Sequence, residues 1–106
     1  MATGRLGTAD LAAATNTTLY TVPANTFSLV TISVCNRGNS PVGARLALAA
    51  GANPGDDEWI EYGVEIGAKG VLERTGVLLS AGQKVVAWSS NPYVSVVVYG
   101  VETSTL

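Results

Sequence analysis

The 106-residue sequence contains no histidine and only one cysteine, Cys35. Without histidine, a serine or cysteine nucleophile lacks its usual general base, and a transition-metal site lacks its commonest ligand. A single cysteine cannot form an internal disulfide, which is compatible with synthesis in a reducing compartment. We therefore expect no enzymatic activity, no catalytic residue and no cofactor.

Charged residues are scarce as well. They make up 13% of the chain, about half of the roughly 25% usual for soluble domains. The net charge is −2, and the six lysines and arginines are scattered singly, so no basic stripe is present to bind phosphates. This excludes nucleic acid as an expected partner. The surface must then be covered by small polar residues or be partly buried against another subunit.

Long apolar runs are missing too. Residues 1–16, MATGRLGTADLAAATN, contain only a short apolar run, far below the apolar core of a signal peptide. No later segment approaches the 18 or so apolar residues of a membrane-spanning helix. We expect a soluble chain with no membrane partner.

The remainder of the chain consists of short runs rich in Val, Ile, Thr and aromatic residues, which are typical of β-strands. Segments containing Gly, Pro and Asn separate them and favour turns. The pattern predicts an all-β fold, a single antiparallel β-sandwich of about seven to eight strands, jelly-roll or immunoglobulin-like, over residues 17–106. The seven clearest runs are residues 17–22, 27–35, 42–50, 59–65, 71–79, 84–90 and 93–101.

Residues 1–16 predict an N-terminal arm rather than a strand, because they contain small residues and two glycines and lack a regular apolar spacing. At most one helical turn is expected, near residues 10–14. We expect the arm to be mobile in the free protein and to be ordered by a partner. Its candidate contacts are Arg5, Leu6, Asp10 and Leu11.

The alternation of residues along single strands predicts which face each side chain occupies. In WIEYGVEI, Ile60, Tyr62, Val64 and Ile66 share one side and Trp59 points outward. Trp59 is then either a partly covered surface residue or an anchor of an interface.

Two further strands have unusual patterns. In FSLVTISVC the apolar phase switches, which predicts a β-bulge near Leu29. In VSVVVYGV both faces are apolar, with Val97 and Tyr99 on the second face, so this strand should be central and covered on both sides. Its second cover must be a loop, the N-terminal segment or a neighbouring subunit. In KVVAWSS, Trp88 alternates with Val86 and is expected in the core.

Four carboxylates lie close together in GDDEWIEY: Asp56, Asp57, Glu58 and Glu61. A solvated loop is the favoured interpretation, because acids in a Gly- and Pro-rich loop have no converging partners in the sequence. Calcium binding through the first three acids and loop carbonyls is the alternative, and catalysis is the least favoured. Arg37 in CNRGN is interpreted as part of a hairpin turn, or alternatively as the partner of Asp57 across a subunit boundary.

Four motifs, LYTVP, CNRG, GVLERTGVLLSAGQKV and VSVVVYGVE, occur in this order between Leu19 and Glu102. In order and spacing, the chain resembles small β-sandwich virion proteins of tailed bacteriophages, common in phages of cyanobacteria and marine bacteria. The resemblance implies a structural role and offers no catalytic residue.

From this resemblance we expect a capsid decoration (cement) protein on the outer surface of the phage head. It would be made in the host cytoplasm and bind the phage major capsid protein. It would form a homo-oligomer, with the trimer as the favoured form. A small tail, baseplate or fibre-associated structural protein is the alternative. A calcium-dependent carbohydrate-binding β-sandwich module using Asp56, Asp57 and Glu58 is the alternative of another class.

Overall fold

A computed structural model describes residues 3–106, which form eight β-strands and no helix. All seven runs expected from the sequence are strands, and an eighth precedes them. The strands are β1 Thr3–Asp10, β2 Thr17–Thr21, β3 Thr26–Asn36, β4 Val42–Ala49, β5 Trp59–Ile66, β6 Val71–Leu79, β7 Lys84–Ser89 and β8 Val94–Ser104.

The strands form two four-stranded antiparallel sheets that pack into a single sandwich. Sheet A has the strand order β1-β8-β3-β6, and sheet B has the order β2-β7-β4-β5. Consecutive strands therefore pass repeatedly from one sheet to the other. This eight-stranded, four-plus-four arrangement is the jelly roll, whereas constant-type immunoglobulin domains pair sheets of four and three strands. The expected β-sandwich is confirmed, and the strand order selects the jelly-roll form.

The core lies between the two sheets and is built from alternate residues of the central strands. Strand β8 places Val94, Val96 and Val98 in it, and all three are fully buried. Strand β3 alternates without interruption, with Ile32 among its buried residues, and Leu46 of β4 faces them from sheet B. Strand β8 is central in sheet A, as its doubly apolar sequence predicts.

The expected mobile arm is wrong for the part of it that the structure describes; residues 1–2 of that arm lie outside the described range. Strand β1 pairs with β8 from Thr3↔Val101 to Asp10↔Ser95. Leu11, predicted as a contact to a partner, is 2% exposed in the protein's own core, and its N–H donates to the carbonyl of Val94. No helical turn forms at Asp10. Strand β8 needs a neighbour on each side, and β1 supplies the second one.

The β-bulge expected near Leu29 does not lie in β3: the pairing of β3 with β6 shifts register between Val30 and Ile32, but the extra residue belongs to β6. Strand β3 keeps one phase throughout, with Thr26 and Ser28 buried and Phe27 and Leu29 pointing away from the core. The apolar residues at its start therefore belong to the outer face of sheet A. The inward polar side chains find partners, since the Thr26 hydroxyl donates to the carbonyl of Ala24.

A buried hydrogen-bond network joins the two sheets at one end of the sandwich. The Tyr20 hydroxyl on β2 donates to Glu102 Oε2 on β8 at 2.5 Å and lies 2.6 Å from Ser28 Oγ on β3. Because the phenol has one hydrogen, Ser28 is the donor in the second bond. Burial, with Glu102 as the next cause, raises the pKa of Tyr20 from 10.0 to about 12. The network favours the neutral phenol and holds sheet B to sheet A.

The first prediction tests the position of Leu11. We expect Leu11→Ala to lower the free energy of unfolding by about 2–4 kcal/mol, because it leaves a cavity in the core. Leu106→Ala is the matched control, since Leu106 is 95% exposed, and it should change stability by less than about 0.5 kcal/mol. Urea unfolding followed by tryptophan fluorescence measures both. Equal stability of the two variants would show that Leu11 is not part of the core and would support the prediction of a mobile arm.

The second prediction concerns alkaline pH. The pKa of Tyr20 is about 10 in the unfolded chain and about 12 in the folded protein. Below pH 10 both states keep the proton, so its stabilisation is fully present there. Between pH 10 and 12 mainly the unfolded state loses the proton, and stability should fall by about 2 kcal/mol.

The Tyr20→Phe variant isolates this effect, because the contributions of all other tyrosines cancel in the comparison. We expect the wild type to lose stability relative to this variant as the pH rises from 10 to 12. Denaturant unfolding at a series of pH values measures the difference. Parallel pH profiles for the two proteins would contradict the assignment.

Candidate interaction surfaces

The acidic loop before β5 is organised by one of its own carboxylates. Glu58 accepts backbone hydrogen bonds from Ala50 N–H at 3.0 Å and from Gly55 N–H at 2.8 Å, one on each oxygen. Asp56 and Asp57 are exposed. In residues 3–106, no group of three or more acidic or cysteine side chains converges in a way that could hold a metal ion. The geometry therefore favours a closed, solvated loop over the calcium alternative, which would need Glu58.

The outer face of sheet B carries a row of stacked side chains. Arg45 on β4 lies in register with Tyr62 on β5 and with Trp88 on β7. Its Cζ atom is 4.3 Å from the centroid of the Tyr62 ring and 4.0 Å from that of the Trp88 ring. Because the rings come from the strands on either side of β4, the guanidinium lies between them, an arrangement that favours a cation.

Trp59 lies beside this row, and its ring forms a cleft with the ring of Tyr62. The Trp59 and Tyr62 ring centroids are 5.3 Å apart with an interplanar angle of 70°. Together with Asp56, they line a cleft of about 460 Å³. Trp59 is half-buried against Ala47 and Val86 on the same outer face.

Two predicted orientations on this sheet are wrong. Tyr62 was expected to share the inner side with Ile60, but it is 65% exposed on the outer face. An extra residue at Gly63, where φ is +80°, shifts the register and turns Tyr62 outward. Trp88, expected in the core, is partly exposed beside Arg45, because β7 directs Val85 and Ala87 inward instead. The outward position of Trp59 is confirmed.

The outer face of sheet A is apolar along its centre. Leu29 on β3 lies in register with Leu78 on β6 and with Val101 on β8. These three side chains are between 41 and 64% exposed, and Phe27 and Tyr99 extend the patch on both sides. Val97, on the same face, is half-buried. Neither a loop nor the N-terminal segment covers this face in residues 3–106, since β1 lies beside β8 within the sheet.

The structure brings only some of the expected interface residues together. Val97 and Tyr99 share the outer face of sheet A, where Arg5 lies in register with Tyr99. Leu6 is a bulge residue on β1 that packs against the core. Trp59 and Asp57 belong to the sheet B side of the sandwich.

Arg37 and Asp10 pair with each other within the chain. Arg37 follows the end of β3, in the loop where a hairpin turn was expected, and its Nη2 lies 2.5 Å from Asp10 Oδ1. Both side chains are largely exposed, so the pair contributes little to stability. Arg37 thus has a partner other than Asp57.

The sequence interpretation missed several residues of these surfaces. Arg45 and Trp88 are separated by more than 40 residues, and only the pairing of β4 with β7 brings them together. Leu29 and Leu78 were assigned no role, although both stand in apolar runs whose period-2 alternation could have revealed an apolar outer face.

Comparison with known proteins adds no relative. The sequence matches no protein-family model, and no curated protein matches it significantly. Residues 3–106 also contain no helix long and apolar enough to cross a membrane. A functional proposal therefore rests on the motifs and on the two outer faces of the sandwich.

Proposed function

We propose that this protein is a structural component of a tailed-phage virion, a decoration (cement) protein that binds the major capsid protein on the outside of the head. The observation that carries the proposal is the exposed apolar strip on sheet A. The resemblance of the motifs between Leu19 and Glu102 to phage virion β-sandwich proteins supplies the class of particle. Jelly rolls also occur in viral capsid domains, but they occur in lectins and cupins as well, so the fold alone decides nothing.

The apolar strip favours assembly because its exposed side chains adjoin one another. Leu78, Leu29 and Val101 form a continuous row across three neighbouring strands. Soluble monomers rarely leave contiguous apolar patches of this kind open, and such patches usually mark sites of protein association. We assign this face to contacts between copies of the chain, most simply in a homotrimer whose subunits together sit on the capsid lattice.

A fibre-associated component, built of repeating units, is one alternative to decoration of the head. A small tail or baseplate component uses the same kind of sandwich and differs only in location.

The position of the chain in an electron-microscopy map of the intact virion tests the location. We expect density that fits the eight-stranded sandwich at regular lattice positions on the head, in contact with the major capsid protein. Dissociating purified heads and tails and identifying the chain in each fraction gives an independent readout. Recovery of the chain only with tails would contradict the decoration role and support the alternative.

Self-association through sheet A is a separate prediction. We expect Leu78→Glu and Tyr99→Glu to shift the purified protein from oligomer to monomer, because each places a charge on the apolar face. Both side chains are exposed in the single chain, so the sandwich should still fold. Leu106→Glu adds the same charge away from the face and should leave the oligomer intact.

Analytical ultracentrifugation at micromolar concentration measures the oligomeric state, with circular dichroism as the check on folding. A wild-type protein that sediments as a stable monomer with its sheets intact would remove the self-association role of sheet A.

A further inference from the structure

Among residues 3–106, Arg45 on the outer face of sheet B finds no acceptor for its hydrogen-bond donors. Its Nε atom is buried without a hydrogen-bond partner, and neither Nη atom hydrogen-bonds to any residue from 3 to 106. The two ion pairs in the described part of the chain are Arg37–Asp10 and Arg74–Glu61, so no carboxylate there pairs with Arg45. A guanidinium carries five N–H donors, and leaving a buried donor unmet is unfavourable.

The surroundings of Arg45 explain what holds its side chain in place. They do not explain why its hydrogen-bond donors have no acceptor among residues 3–106. The rings of Tyr62 and Trp88 stack on its two sides at 4.3 and 4.0 Å. Stacking fixes the plane of the guanidinium in advance, so little side-chain freedom is left to lose when a ligand binds.

We propose that the outer face of sheet B binds an acidic segment of a partner protein, with a carboxylate of that segment pairing with Arg45. The planar fork of a guanidinium matches the two oxygens of a carboxylate. An apolar side chain of the same segment enters the neighbouring cleft between Trp59 and Tyr62.

A protein segment fits this site better than an acidic sugar. The Trp59 and Tyr62 rings meet at 70°, so they form a cleft for a side chain and not a flat platform for a sugar ring. Tryptophan, tyrosine and arginine are also the residues that dominate binding energy at protein interfaces. The site lies on sheet B and is independent of the apolar face of sheet A, so one can fail without the other.

Nuclear magnetic resonance titration of the ¹⁵N-labelled protein tests the proposal. The probes are two blocked peptides, acetyl-Glu-Leu-Glu-amide and its counterpart acetyl-Gln-Leu-Gln-amide, which differ only in charge. The readouts are the Nε–H signal of Arg45 and the indole N–H signals of Trp59 and Trp88. We expect the acidic peptide to shift all three signals saturably, and the neutral peptide to bind at least about tenfold more weakly.

Substitutions separate a binding role from a structural one. Arg45→Met removes the charge and keeps an unbranched apolar chain, and it should abolish the difference between the two peptides. Arg45→Lys should restore part of that difference, because it keeps the charge but loses the planar fork. Asp56→Asn should strengthen binding of the acidic peptide, since Asp56 lines the same cleft and repels an anion. Thermal melting of each variant confirms that it is folded.

Four results would overturn the proposal. Equal binding of the neutral peptide would show an apolar cleft without carboxylate recognition. Preferential binding of acetyl-Lys-Leu-Lys-amide, lost in Asp56→Asn, would show a site for cations. Saturable shifts by glucuronate with none by the acidic peptide would assign the site to acidic sugars. An absence of shifts with every probe at millimolar concentration would leave Arg45 a purely structural residue.

Discussion

An extra residue in every edge strand constrains how this sandwich can meet other molecules. Relative to their central neighbours, β1 has an extra residue at Leu6, β2 at Leu19, β5 at Ile60 and Gly63, and β6 within residues 75–76. The central strands have none. A bulge bends and twists an edge so that another strand cannot pair with it regularly, which protects a β-protein from edge-to-edge aggregation. With its four edges irregular, the molecule offers no regular edge for strand addition, and its two outer faces remain open to partners.

The same bulges explain which parts of the structure the sequence predicts well. Strands β2 to β8 are recognisable because β-branched runs and turn residues are local signals, and all seven runs are strands. The face of the sheet that a side chain occupies is less predictable, because the alternation rule assumes that each residue pairs with one residue of the neighbouring strand. Gly63, which has a positive φ, is an extra residue in β5. It shifts the register and turns Tyr62 to the outer face, where Tyr62 contacts Arg45. The candidate site on sheet B therefore depends on register, which only the paired strands determine.

The N-terminal strand shows a different limit of local signals. TGRLGTAD has two glycines and few β-formers, so its sequence indicates a flexible segment. In the folded chain it becomes a strand because β8 offers it a row of unpaired backbone groups and because Leu11 is buried at its end. The segment is a strand because β8 offers it pairing partners and not because its own residues favour β-structure. The pairing of Asp10 with Arg37 follows from the same placement, since β1 brings the acid to the loop after β3.

Two of the four sequence motifs between Leu19 and Glu102 contain residues that hold turns together. In CNRG, the buried Asn36 donates to the carbonyls of Ser40 and Ile66 and accepts from Gly38 N–H. In the segment ending SAGQKV, Gln83 accepts from the backbone N–H of Ser80. Such residues preserve a fold, and one fold serves many functions. The two outer faces differ in chemistry: sheet A exposes leucine and valine, and sheet B holds a guanidinium between aromatic rings with no hydrogen-bond acceptor among residues 3–106. Two chemically distinct faces fit the proposed place of a small component between identical copies and a different partner.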